Sequence, residues 1–134
     1  MRHPFYVGAL LALLGTATAC QESLPERCQR EAREYTAKKC PAAIDEFTVM
    51  DSLTFDAPTL TLHYYYSLRG SADDPTRVGQ MQESLRQSLI DQVKNSTQLK
   101  AYKDEGYNFA YTYHSASRPQ LVLYSLKVTA ADYQ

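Results

Sequence analysis

Tryptophan is absent from this chain of 134 residues, glycine occurs 5 times and cysteine 3 times. So few glycines exclude an architecture built on Gly-rich phosphate loops. Neither sign of charge dominates: 14 Lys and Arg stand against 15 Asp and Glu, a net charge of −1. That balance speaks against a nucleic-acid partner, which selects a basic excess. No apolar run reaches the roughly 20 residues that a transmembrane helix needs. There is no H-x-x-x-H, no C-x-x-C and no G-x-S-x-G, so neither a metal centre, a cofactor nor a nucleophile elbow is indicated. The acidic pairs Asp45-Glu46, Asp73-Asp74 and Asp104-Glu105 fall at turns or helix ends, where carboxylates act as caps or solvated charge.

What is present is enough to build a core. Hydrophobic residues make up 44% of the chain, and 11 of its aromatic residues are Tyr against 4 Phe. The first nineteen residues read as an export signal: Arg2, an uncharged apolar run from Phe5 to Leu14, then the small residues 15–19. Ala17-Thr18-Ala19 fits an ordinary signal peptidase, and Cys20 directly after it also fits a bacterial lipobox, with Ala17 where Leu, Val or Ile is usual. Cysteine parity favours the second reading. Acylation of Cys20 leaves a pair, Cys28 and Cys40, rather than an odd thiol in an oxidising compartment. The expected mature protein is therefore a single domain, 20–134, tethered at Cys20. Loss of Arg2 takes its net charge from −1 to −2. Gln21 in place of Asp favours sorting to the outer membrane, facing the periplasm; a soluble secreted or periplasmic protein is the alternative.

Along the mature chain, Ser23-Leu24-Pro25-Glu26 is a capping box, and Leu24, Cys28, Ala32 and Tyr35 form one stripe of a helix over 24–39, closed by Pro41. The period then changes to two. Phe47, Val49, Leu53 and Phe55 fall on one face of a strand; Leu60, Leu62, Tyr64, Tyr66 and Leu68 mark the apolar side of the next, past a turn at Asp56-Ala57-Pro58. Asp74-Pro75 caps a second helix, over 75–95, with Val78, Met81, Leu85, Leu89 and Val93 as its stripe. Leu99 and Tyr102 suggest a further turn or two, ended by Gly106. Strands at 107–114 and 121–129 complete an order α-ββ-α-ββ. The expected fold is two-layer α+β, a four-stranded antiparallel sheet with two helices on one face.

Alternation aims His63, Tyr65 and Arg69 at the opposite, open face, in company with Met50, Thr48, Leu121 and Leu123. Tyr and Arg dominate many interfaces, so these three are the expected contact for a protein partner in the cell envelope, and the expected role is non-enzymatic, protein-binding or envelope-structural through the open sheet face. A competing reading assembles His63, Tyr65, Arg69 and His114 into a small-molecule or hydrolytic site, which requires a deep pocket. Cys28 and Cys40 are not expected to pair. A straight helix separates their Cα atoms by about 18 Å and turns them about 120° apart, whereas a disulfide spans no more than roughly 7 Å.

From Cys40 onward the chain resembles a group of small exported bacterial proteins without an assigned activity. The resemblance rests on Pro41-x-x-Ile44-Asp45, the Tyr-rich second strand, Leu99-x-x-Tyr102-x-x-x-Gly106, Tyr111-x-Tyr113 and Val128-Thr129-x-x-Asp132. Members of the group often carry Cys after the final Asp and near the end of the second helix; Tyr133 and Asn95 or Ser96 stand there, so that disulfide is not implied here. The resemblance implies export and no particular chemistry.

Overall fold

The structure is a computed structural model that describes residues 21–134. The export signal and Cys20 lie outside the described residues. Helix α1 (Leu24–Lys39) begins at the expected capping box: the Glu26 N–H donates to Ser23 Oγ at 3.3 Å, and the Ser23 N–H to Glu26 Oε2 at 3.1 Å. Ahead of it, Arg30 grips Glu22 through Nε and Nη2, both at 2.8 Å. Strands β1 (Ala42–Ala43), β2 (Thr48–Asp56) and β3 (Thr61–Leu68) follow, then a 3-10 turn at Gly70–Ala72. Helix α2 (Pro75–Asn95) is capped by Asp74, which accepts from the Thr76 N–H at 2.8 Å and the Arg77 N–H at 3.3 Å. Helix α3 (Lys100–Asp104), β4 (Asn108–Ser115), β5 (Val122–Val128) and α4 (Ala130–Tyr133) complete the order. Gly106, at φ +73°, supplies the left-handed turn between α3 and β4.

The α+β class holds, but the sheet differs from the expected one in two respects. It has five strands, in the order β1-β2-β3-β4-β5, because the short β1 pairs with Val49 and Met50 of β2. It is also mixed rather than wholly antiparallel. Strands β3 and β4 run parallel, from Thr61 opposite Asn108 to Leu68 opposite Ser115. The reason is the crossover: α2 carries the chain back to the end where β3 began, so β4 must run in the same direction as β3.

A β-bulge corrects the register of β2. Ser52, Leu53, Thr54 and Phe55 lie opposite Tyr65, Tyr64, His63 and Leu62, but Thr48, Val49 and Met50 lie opposite Leu68, Ser67 and Tyr66. Asp51 is the extra residue, and it reverses the alternation behind it. Val49, expected in the core, therefore joins the open face. Thr48 and Met50, expected on the open face, lie on the helix side, where Met50 is buried. A second irregularity between Tyr113 and His114 acts on β5: Leu123 is buried in the core and Leu121 packs against it. Neither belongs to the open face.

Helix α1 packs on β2 and α2 on β5. Cys28 and Ala32 enter the core from α1; Val78, Leu89, Ile90 and Val93 enter from α2; Phe109 and Val128 lie fully buried in the sheet. Tyr102 closes the end of the core near the start of α1. Its hydroxyl donates to Glu31 at 2.6 Å, and Arg27, itself paired with Glu31 at 2.8 Å, sits 5.7 Å above its ring. Helix α1 is continuous, as expected, with Cys28 buried and Cys40 at its C-cap, and both thiols are free.

Candidate functional site

Because the two helices pack toward opposite edges of the sheet, the middle of their shared face is a groove. Its floor is made by four tyrosines that the parallel register brings into two pairs. Tyr64 stacks on Tyr111 and Tyr66 on Tyr113, each with ring centroids 4.8 Å apart. Burial raises all four phenols, and Tyr66 is pushed up to about 12 by burial and by the neighbouring Tyr35 and Cys40. They stay protonated at physiological pH and serve as a flat, largely apolar surface rather than as acids or bases.

The wider part of this groove encloses about 500 Å³. Val78, Met81 and Leu85 of α2 form one wall, and Ile44, Phe47 and Thr48 form the other. Tyr66, Leu68 and Tyr113 lie beneath. A smaller hollow of about 170 Å³ continues past Tyr66 and Gln92 to Tyr64, Tyr111 and Leu99. Three apolar side chains at the wide mouth face solvent: Met81 is 61% exposed, Ile44 55% and Phe47 36%. Their grouping around one opening distinguishes them from scattered surface apolar residues. Asp45 and Arg77 give the lining its charge. The Asp45 carboxylate accepts from the Phe47 and Thr48 N–H groups, both at 2.8 Å, and the Phe47 bond leads in holding it below the usual carboxylate range.

On the other face, the structure brings together some of the residues expected to meet there. His63 stacks on Tyr65 with centroids 4.0 Å apart, and Tyr65 lies 6.3 Å from His114 at 16°. His63 Nε2 is 2.7 Å from Thr112 Oγ1. Burial, and then the nearby His114, hold His63 below its ordinary value. Arg69 does not join them. It sits beyond the end of β3, where its Nε donates to the Glu46 carbonyl at 2.9 Å and its N–H to the Phe47 carbonyl at 2.8 Å. Arg69 thus fastens the loop that forms one wall of the groove.

These positions do not make a catalytic relay. Ser67 lies beside His114 in the sheet, but its hydroxyl donates to Asp51. A Ser-His-Asp relay needs the histidine in the middle. Among the described residues, no three His, Cys, Asp or Glu side chains converge as metal ligands. His63 and His114 are on neighbouring strands but four register positions out of step, so a stacked Tyr65 separates them. The hollow beside His63 and Tyr65 is a broad polar depression, with Asp56 and Lys127 at its side.

The groove is not legible in the sequence pattern, because a groove is a property of where two helices are absent. The signal that was available is Met81, an apolar residue on the helix stripe that the core leaves uncovered.

Residues 23–124 match a domain of unknown function, DUF8479. The chain belongs to that family. No curated protein matches it in sequence. Two solved structures share its fold. One is a candidate secreted protein of Pseudomonas aeruginosa, 20% identical with a TM-score of 0.70, the match covering 85% of this chain and all of that one. The other is the pilotin EpsS of the Vibrio vulnificus type 2 secretion system, 14% identical with a TM-score of 0.57, covering 81% of this chain and 89% of that one. Neither the family nor these neighbours indicates an enzyme class.

Proposed function

We propose that this chain is a non-enzymatic protein of the bacterial cell envelope, tethered through an acylated Cys20, that holds a short apolar segment of another envelope protein in its tyrosine-floored groove. The observation that carries the proposal is the exposure of Ile44, Phe47 and Met81 around one opening of about 500 Å³. A cleft of that size is in the range used for specific ligands, and its lining is mainly side chain and aromatic ring rather than charge. The export signal supports the location, and the fold shared with a secretion-system pilotin agrees with an envelope role.

The groove is preferred to the open-face patch of His63, Tyr65 and Arg69 on geometric grounds. The ring faces of His63 and Tyr65 are turned to one another, and Arg69 is engaged elsewhere. The alternative of a small-molecule or hydrolytic site at His63, Tyr65, Arg69 and His114 is less favoured, because the open hollow there is lined by His63 and Tyr65 but not by Arg69 or His114.

Photo-crosslinking in intact cells separates these surfaces. A benzophenone amino acid at Met81 should give a discrete protein adduct, and Ile44→Asp in the same chain should abolish it. The same probe at Tyr65 should give none. A discrete adduct at Tyr65, with nothing at Met81, would place the partner on the open face and reject the groove.

A further inference from the structure

We infer that the end of the domain carrying the start of α1 faces the lipid bilayer and that the groove mouth points away from it, so that the groove meets its partner at a fixed standoff from the membrane. This rests on the reading of Cys20 as the acylated residue. The argument begins with the shortness of the tether. Gln21 alone separates Cys20 from Glu22, and Glu22 is already held against α1 by two bonds from Arg30 at 2.8 Å. Two residue steps span at most about 7 Å between Cα atoms. The first turn of α1 cannot move far from an anchor at Cys20.

Two independent measures put the groove mouth at the other end. Helix α1 has 16 residues and rises about 24 Å from its start. Strand β2 lies beneath it: the Gln29 side-chain amide near the start of α1 lies 3.1 Å from the Phe55 carbonyl, and Thr36, further along, bonds to Leu53. From Phe55 back to Thr48 in the groove wall is about 23 Å of strand. The Ile44–Phe47 wall, the turn at Gly70–Ala72 and the first turns of α2 all belong to this distant end. Near the anchor lie Ala57, which borders a hollow with Pro25 and Glu26, and Tyr102 of α3, bonded to Glu31.

Net charge does not draw the domain flat onto the bilayer. Two of the three arginines of α1 are engaged, Arg27 with Glu31 and Arg30 with Glu22 and Glu34, while Arg33, Lys38 and Lys39 are exposed without a carboxylate partner among the described residues. The mature chain carries a net −2, since loss of Arg2 removes one from the −1 of the whole. Such a body has no basic excess to bind it to anionic headgroups, so the tether rather than charge sets its orientation.

The test places the Cys40→Ser mature chain on nanodiscs through a maleimide lipid at Cys20. Cys28 is buried and its thiol is pushed up to about 11 by burial, so it does not compete. With a gadolinium-chelating lipid in the disc, the amide signals of Ala57, Thr59 and Lys100 should be lost. Those of Phe47, Ser71 and Met81 should keep their intensity. Uniform loss, or loss at Phe47 and Met81, overturns the inference. A flexible Gly-Ser insertion of about ten residues after Cys20 reaches roughly 17 Å and should erase the contrast. If the contrast survives the insertion, the near end binds lipid by itself and the tether argument is wrong. Acylation is judged separately: native Cys20→Ser should leave the membrane fraction. A variant that stays there rejects the anchor reading, while the maleimide-tethered sample still decides the orientation.

Discussion

Thr36 and Leu53 are joined by a two-way hydrogen bond: Thr36 Oγ1 donates to the Leu53 carbonyl at 2.8 Å and accepts from the Leu53 N–H at 2.9 Å. One hydroxyl on α1 thus substitutes for a neighbouring strand at the edge of β2 beyond the short β1. The Gln29 side-chain amide lies 3.1 Å from the Phe55 carbonyl and covers it. Edge strands covered in this way resist pairing with other chains.

Thr36→Val keeps the shape of the side chain and removes the hydroxyl, leaving both Leu53 groups without their partner. We expect a loss of about 1–2 kcal/mol, read from urea unfolding, with Thr36→Ser close to wild type. Equal stability of the Val variant would mean that water replaces the hydroxyl at no cost.

Acid sensitivity should centre on Glu31. Burial pushes its carboxyl up, but the bonds from Tyr102 and Arg27 outweigh this and hold it below its ordinary 4.5. A carboxylate depressed on folding contributes stability above its unfolded value and loses it as pH falls through the folded one. Tyr102→Phe should therefore be less stable than wild type at neutral pH, and the gap should narrow as pH drops below 4.5. A gap independent of pH would assign the effect to packing of the ring alone.

The thiols should differ in reactivity. Burial pushes Cys28 up to about 11, while Cys40 is more accessible and raised less, by burial and then by Asp51. Iodoacetamide on the folded Cys20→Ser chain should modify Cys40 first, and both thiols only after denaturation. A linked Cys28–Cys40 peptide in the non-reduced digest would mean that α1 is broken.

The bulge at Asp51 can be checked with one pair of substitutions. Met50→Ala should cost about 2–5 kcal/mol, as for other buried truncations. Val49→Thr, on the open face, should stay within about 0.5 kcal/mol. The reverse order of costs would restore unbroken alternation to β2.

That pair also shows what could be read from the chain. Helix α1 was legible in Ser23, Glu26 and the stripe through Cys28 and Ala32, and α2 in Asp74-Pro75 and its own stripe, because capping and amphipathicity are local. Strands β3 and β4 were legible in alternating tyrosines. The bulge was not, since Val49 is an apolar residue that fits the unbroken pattern as well as the interrupted one. The direction of β4 depends on how α2 crosses the sheet, and no residue of β4 records it. Of the expected contact residues, His63 and Tyr65 meet as alternation requires. Arg69 lies past the strand end, where alternation no longer governs. The groove depends on the lateral placement of both helices, which periodicity does not encode.

The parallel pairing of β3 with β4 bears on how the chain assembles. The hairpins β2–β3 and β4–β5 close over a few residues each, but Thr61 must find Asn108 across the whole of α2 and α3. Contacts of such separation are the slow ones, because closure entropy precedes any gain. We expect the two hairpins to form first and the tyrosine pairs to stack last. Tyr111→Leu should then speed unfolding while leaving the refolding rate nearly unchanged, and a slowed refolding rate would put the seam in the nucleus. Until that seam closes, each half exposes a strand edge and a row of aromatic rings, so the unfolded chain is most vulnerable to aggregation along the line that later becomes the floor of its groove.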